Sequence, residues 1–318
     1  MIKIDNIINE HNVKSVGITG HINPDGDCIG SVLALYNYIS YNYPDIRVVP
    51  YLTGKPGEFS YLNGFDSIIT EDDGSSPDMF VVLDCSVKER IKPFVRLFDG
   101  ASVTVNIDHH IPTGEPFATY SHIDDTAPSV CEVLYGALDN AKFNKETAEC
   151  LYTGLVTDTG VFKYAATRQK TMEIAGELIN YGFDFSEIID GVFYERTFTQ
   201  TKALAKAIEN TQLLFNGSAA YSYVSVEDME SAGVKASDLG GIVEQLRLIK
   251  GVEVAVFIYP VQDGMNKVSM RSKKYADVSK YAISKGGGGH MRAAGFSTFD
   301  GINKIKQDIE AYLEKELS

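Results

Sequence analysis

The sequence predicts an α/β fold: a parallel, doubly wound sheet followed by a smaller mixed-sheet α/β domain, with a cleft between the two. Three observations carry this reading. Short β-rich apolar runs alternate with amphipathic stretches through the first half of the chain. Carboxylates and imidazoles collect just after several of those runs. A second series of strands and helices begins only after a long stretch without strand-like character.

The first-half strands are expected at 16–19, 46–52, 80–83, 102–107 and 118–123, and the helices at 29–41, 128–138, 145–155 and 169–181. Strands alternating with helices of this length build parallel sheets. Ser129-Val-Cys-Glu132 has the form of a capping box and should start its helix. From Phe185 to Leu214 no strand-like run occurs, and 198–212 reads as helix. The domains are therefore drawn at 1–190 and 214–318, with a helical linker at 191–213. Strands of the second domain are expected at 219–226, 252–259, 267–271 and 293–298, and helices at 239–249, 277–284 and 302–317.

The chain has 318 residues, a length that suits two domains, and 44% apolar residues, enough for ordinary cores. No apolar run reaches the roughly 18–20 residues of a membrane span, and the first residues lack the features of a signal peptide, so the cytoplasm is the expected compartment. The four cysteines form no C-x-x-C pair; Cys28 and Cys85, beside acidic residues, read as small buried fillers. The net charge of −14 argues against a protein that coats long duplex nucleic acid. A local basic stretch stands out: Lys267, Arg271, Lys273, Lys274, Lys280, Lys285 and Arg292, against one acid, Asp277.

The polar residues carry the chemistry. His21-Ile-Asn-Pro-Asp25-Gly-Asp27 follows the first strand, Asp84 ends the run 80–83, and Asp108-His109-His110 ends the run 101–107. Asp158 lies in Gly154-Leu-Val-Thr-Asp158-Thr-Gly160. In an open parallel sheet the functional crevice lies outside the carboxyl ends of the strands. Taken singly, Asp25 and Asp27 read equally as turn residues, Asp84 and Asp158 as caps, and His21 as a satisfied polar group. Together, five carboxylates in one crevice would repel one another, and bound cations remove that cost. A mixed carboxylate–imidazole set suits Mn²⁺, with Mg²⁺ or Co²⁺ as alternatives. Two such ions can serve both the attacking and the leaving oxygen at phosphorus. Gly26 was expected to permit a tight turn that aims Asp25 and Asp27 at neighbouring ions. Gly286-Gly-Gly-Gly-His290 can expose backbone N–H groups to an anion, with Arg271 and His290 adding charge-assisted bonds.

These segments, in this order, resemble the motifs of the DHH phosphoesterases, and Gly286–His290 with Ala293-Ala-Gly295 resembles the signature of their associated C-terminal domain. The resemblance implies a ligand division: His21 and Asp25 to one ion, Asp27, His109 and Asp158 to the other, Asp84 to both. It leaves Asp108 to orient an imidazole and His110 to act on the scissile phosphate or leaving oxygen. Arg271, Gly286, Gly287, Gly288, Gly289 and His290 become the pocket for the non-reacting end of the substrate. Within the family the chain looks most like the small bacterial nanoRNases. That implies hydrolysis of short RNA oligonucleotides and linear dinucleotides such as pApA to 5′-mononucleotides, and of 3′-phosphoadenosine 5′-phosphate to AMP. A family II-like inorganic pyrophosphatase and a non-catalytic nucleotide-binding module are the other readings of the same scaffold. A homodimer is compatible with the sequence, which fixes neither oligomeric state nor base preference nor direction of degradation.

Overall fold

The computed structural model describes all residues except 1, 113, 262, 263 and 318. Two compact units divide the chain, Met1–Glu195 and Arg196–Ser318. The first runs α1 (Ile4–Glu10), β1 (Ser15–Thr19), α2 (Gly26–Asn42), β2 (Arg47–Tyr51), β3 (Met79–Leu83), α3 (Val95–Gly100), β4 (Val103–Asp108), β5 (Tyr120–Ile123), α4 (Val130–Ala137), α5 (Lys145–Thr159), α6 (Gln169–Leu178) and α7 (Phe185–Ile189). Its sheet has the order β2-β1-β3-β4-β5 with every pairing parallel.

Alternation along the strands explains the layers. Val81 and Leu83 of β3 and Val103, Val105 and Ile107 of β4 join one core with α2, α4 and α5. Phe80 and Val82 point the other way and meet Tyr51, Phe94, Leu97 and Phe98. All residues of β3 and β4 are buried, as befits strands covered on both faces. The strand order reverses between β1 and β3, so the switch-point crevice lies at the ends of those two strands.

The second unit runs α8 (Phe198–Glu209), β6 (Gln212–Leu214), β7 (Ala219–Tyr223), α9 (Val226–Ala232), α10 (Ile242–Arg247), β8 (Val254–Pro260), β9 (Asn266–Ser272), α11 (Val278–Ser284), β10 (Gly288–His290), β11 (Ala293–Thr298) and α12 (Ile302–Glu316). Its sheet is β10-β11-β9-β8-β7-β6, parallel between β7 and β8 and antiparallel elsewhere. Helix α8 falls in the stretch expected as a linker, yet it is a packed element. Its small face, Ala203 and Ala207, is fully buried against Ala220, Ala255 and Phe257 of the second unit. The strand expected to run to Val226 stops at Tyr223, because Ser225 accepts from Asp228 N and starts α9.

Candidate metal centre

Four segments of the first unit deliver the polar residues to the carboxyl ends of β1, β3 and β4. The chain leaving β1 carries His21. Asp25 caps α2, with Oδ1 accepting from Cys28 N at 3.1 Å, and Asp27 lies in its first turn. Asp84 follows β3, Asp108 ends β4, and Asp158 lies in the last turn of α5. The structure brings these residues together. His21 Nε2 lies 3.3 Å from Asp84 Oδ2 and 3.7 Å from Asp25 Oδ2. His109 Nε2 lies 3.4 Å from Asp84 Oδ1, 3.4 Å from Asp158 Oδ2 and 3.8 Å from Asp27 Oδ2. Asp84 thus turns one oxygen toward each imidazole, and two donor groups share it.

The other ring atoms are spoken for. His21 Nδ1 is 2.8 Å from the Ile22 carbonyl and His109 Nδ1 is 3.3 Å from the Ala127 carbonyl, so each ring donates there and leaves Nε2 for the centre. His110 Nδ1 is 2.8 Å from Asp108 Oδ1, which also accepts from the backbone N–H groups of His109 and His110. The Asp108 carboxylate therefore fixes the strand end and the His110 ring together.

Asp27 is wholly buried. Its carboxylate accepts from Val130 N at 2.5 Å and Cys131 N at 3.1 Å, the first N–H groups of α4. A helix N-terminus favours a carboxylate there. Nothing near Asp27 in sequence announces this partner; the only trace is Ser129, which does cap α4 by accepting from Glu132 N. The reciprocal half of the expected capping box is absent, because Glu132 binds Arg168 and Thr171 instead. Gly26 also has a different role from the expected one. It begins α2 with an ordinary φ, and what excludes a side chain is Thr157, whose Cγ2 would lie 2.3 Å from a Cβ.

Crowding sets the electrostatics. Burial by itself would lower the His21 and His109 imidazoles; the carboxylates around them outweigh it and raise both to about 10. Burial, then the neighbouring Asp84 and Asp25 charges, push the Asp158 carboxyl up to about 7. Burial, then Asp158 and Asp84, lift Asp27 well above the carboxylate range. Asp84 goes the other way: burial favours its neutral form, but His109 and His21 hold it well below the usual range. Its backbone sits in the left-handed region at φ 55°, which aspartate tolerates better than most non-glycine residues. Asp84 Oδ1 and Asp108 Oδ2 are buried without a hydrogen-bond partner. Orphaned carboxylate oxygens beside two imidazoles whose Nε2 atoms face them form a donor set that fits divalent cations. Cys28 lies close to His21 and Asp84, but burial, reinforced by the Asp84 charge, raises its thiol, and like Cys85 it is fully buried.

In the second unit, Lys267, Ser269, Arg271 and Gly286–Gly288 line an open depression of about 600 Å³. The glycine run differs from expectation. It forms edge strand β10, paired with β11. The N–H groups of Gly286 and Gly287 donate to the carbonyls of Ile283 and Ala282 at the end of α11, so neither is available to an anion. A Cβ on Gly287 would lie 2.2 Å from the Gly295 carbonyl oxygen, which makes close strand packing the reason for that glycine. Gly288 faces open space, Gly289 takes a φ of 135° and His290 is exposed. The basic stretch is partly neutralised by acids from distant elements: Arg271 is paired with Glu244, and Lys285 with Asp308 at 2.7 Å.

Fold and site define a two-domain α/β protein with a candidate metal centre at the switch point of its parallel sheet. The chain belongs to the DHH family: the model of the DHH family N-terminal domain matches residues 15–155 and that of the DHHA1 domain matches residues 216–315. A relative from Bacillus subtilis (strain 168), named bifunctional oligoribonuclease and PAP phosphatase NrnA, is 31% identical over 91% of this chain and 92% of its own. One of the same name from Thermus thermophilus is 28% identical over 93% of this chain and 87% of its own. Among solved structures, an exopolyphosphatase-related protein from Bacteroides fragilis superposes with a TM-score of 0.84 at 25% identity, covering 98% of this chain and 95% of that one. No helix among the described residues is long and apolar enough to cross a membrane.

Proposed function

We propose that this chain is a metal-dependent phosphodiesterase. Its substrates are short oligoribonucleotides and linear dinucleotides, released as 5′-mononucleotides, and 3′-phosphoadenosine 5′-phosphate, released as AMP. The observation that carries this reading is Asp84, whose two oxygens face two separate imidazole–carboxylate groups. The names of the full-length relatives supply the substrate class. His21, Asp25 and Asp84 would hold one cation and Asp27, His109, Asp158 and Asp84 the other; Mn²⁺ is the ion we assign. Held there, the ions supply Lewis-acid stabilisation of phosphoryl oxygens and an acidified water.

The chain's own groups do the rest. Asp108 holds the Nδ1–H of His110, which leaves Nε2 of this half-exposed ring as the nitrogen for the reaction. The hydrogen bond to Asp108 raises the His110 imidazole and outweighs its burial, which favours the protonated ring. That proton suits a departing 3′ oxygen. Arg271 and the exposed part of the Gly286–His290 segment would bind the non-reacting phosphate or nucleotide. The compartment we assign is the cytoplasm, where the four free cysteines would remain reduced.

The test is a substrate panel with Mn²⁺: RNAs of two to twenty-four nucleotides, pApA, phosphoadenosine phosphate and pyrophosphate. Efficiency is expected to peak at about two to four nucleotides, because a chain of net charge −14 offers only the short basic stretch 267–292 to reward longer substrates. Folded Asp84→Ala protein should lose nearly all turnover. Pyrophosphate as the best substrate, or normal turnover by Asp84→Ala, would overturn the proposal.

A further inference from the structure

Asp27 and His109 are held by backbone groups of one short run. Asp27 accepts from Val130 N and Cys131 N, and the His109 ring donates to the Ala127 carbonyl. Asp124 N, in the same run, donates to the Asp108 carbonyl at 3.1 Å. The run 124–131 joins β5 to α4, and one side chain from another element ties it down. Arg168, at the start of α6, donates from Nε at 2.9 Å and Nη2 at 2.7 Å to Glu132 Oε1, and from Nη1 at 2.7 Å to Thr126 Oγ1. Its Nη2 also reaches Asp124 Oδ2 at 3.4 Å. Glu132 is fully buried, and its second oxygen accepts from Thr171 Oγ1 at 2.6 Å. Thr171 Oγ1 accepts in turn from Arg168 N, which closes the network on itself. Neither α4 nor α6 supplies a candidate ligand, so this half-buried ion pair has no part in the centre's own donor set.

We infer that Arg168 and Glu132 are positioning residues of the metal centre: a clamp that fixes the run 124–131 and through it sets Asp27 and His109. The inference rests on the metal reading above. The chemistry fits the task. A planar guanidinium can bond a carboxylate, a hydroxyl and a second carboxylate at fixed angles, which a lysine ammonium on a flexible stem cannot reproduce. Partners bonded directly to a ligand commonly govern metal affinity by 10- to 100-fold, and here those partners are the backbone groups of Ala127, Val130 and Cys131 that the clamp fixes. The clamp is also one-sided. His21 is held by the Ile22 carbonyl, Ile22 N donates to the Arg90 carbonyl at 2.8 Å, and Asp25 is fixed by Cys28 N. None of these touches Arg168, so loosening the clamp should disturb one donor group and spare the other.

The experiment is Mn²⁺ titration of the full chain, wild type against Arg168→Lys, Arg168→Gln and Thr126→Val. Bound and free ion are followed by electron paramagnetic resonance and calorimetry, and folding of the metal-free proteins by chemical denaturation. In Arg168→Lys and Arg168→Gln, one ion should bind as in wild type and the other about 10- to 100-fold more weakly, with loss of any spin coupling between them. Thr126→Val removes the hydroxyl's contacts with Arg168 Nη1 and Asp124 Oδ1, keeps the Arg168–Glu132 pair, and should weaken the same ion by a smaller factor. Should both arginine variants fail to fold, Thr126→Val alone decides. Two ions bound with wild-type affinity by a folded variant, or both ions weakened equally, would overturn the clamp. A wild-type protein that takes up no divalent cation would instead overturn the metal reading itself.

Discussion

Replacing Gly154 by alanine would place a Cβ 2.3 Å from Cys131 Sγ, 2.7 Å from Asp27 Oδ1 and 3.1 Å from Asp27 Cα. Gly154 lies in the middle of α5 and faces Gly30 of α2, whose own Cβ would lie 2.7 Å from the Cys150 carbonyl and 2.9 Å from Gly154 N. The two glycines let the helices touch backbone to backbone, and that contact sets where Asp27 and Asp158 stand. An ordinary contact needs about 3.4–4 Å, so something must retreat by roughly 1 Å. The Cys131 end of the gap cannot yield easily, because its N–H is bonded to Asp27. Overpacking of this kind costs about 1–3 kcal/mol. At about 2–4 °C per kcal/mol for a domain of this size, the melting temperature should fall by about 2–12 °C. The signature that separates this from generic destabilisation is the metal. Asp27 should be displaced, so Mn²⁺ affinity measured by calorimetry at 25 °C, where the variant is folded, should fall at least tenfold. Gly176→Ala is the control: it lies in α6 with nothing near the added Cβ, and should be neutral or slightly stabilising. Gly154→Ala protein with unchanged melting temperature and unchanged Mn²⁺ affinity would refute the close-contact argument.

Three further outcomes follow from the same geometry. His110→Ala should lower kcat by about 10²- to 10⁴-fold with KM for a dinucleotide nearly unchanged, and a rise in KM at constant kcat would remove His110 from the proton transfer. The stabilisation by Mn²⁺ in thermal melts should grow from pH 6 to pH 8. Raised folded-state values at Asp158, about 7, and at His21 and His109, about 10, mean that the metal-free fold loses stability as pH rises through this window. A shift that shrinks with pH would contradict it. Glu253 is buried and accepts the N–H groups of Lys274, Tyr275 and Ala276; burial would raise it, but those bonds hold it below its ordinary value. Its contribution is present above the unfolded value, roughly 4.5, and is lost as pH falls through the folded one. Glu253→Gln should therefore cost about 1.5–3 kcal/mol at pH 7 by denaturation and show a flatter loss toward acid than wild type; parallel curves would refute the role.

The parts of the fold legible in the sequence were those with a long, regular pattern. The strands of the first sheet are apolar runs bounded by polar breaks, and α2 and α5 are long enough for their periodicity to register. Helices α1, α3 and α9 span six or seven residues each, too short a window for a 3.6-residue period to stand out. Helix α3 was further hidden because Phe94, Leu97 and Phe98 form its apolar face within a segment that reads as a loop between two strands. The glycine run was read for its freedom, whereas β10 uses it for closeness: Gly287 and Gly289 lie where the β11 backbone leaves no room for a side chain. Density of glycine does not distinguish the two, since either demand selects the same residue.

For the candidate centre, what could be read was the residue at the end of each strand, because the parallel sheet itself forces those ends to one crevice. What could not be read was everything that holds those residues still. Asp27 is bonded to backbone 103 and 104 residues away, and Glu132 meets Arg168 across 36. Backbone N–H groups carry no side-chain signature, so no composition or spacing marks Val130 and Cys131 as the anchors of a carboxylate. The consequence is energetic as well as informational. A buried carboxylate among others would by itself take up a proton and turn away. Two N–H donors at a helix start oppose that tendency without overcoming it, since burial and the Asp158 and Asp84 charges still lift Asp27 well above the carboxylate range; Glu132, buried three residues past the cap of the same helix, is itself paired with Arg168. The backbone donors that the sequence leaves unmarked thus hold in place a carboxylate that the sequence marks.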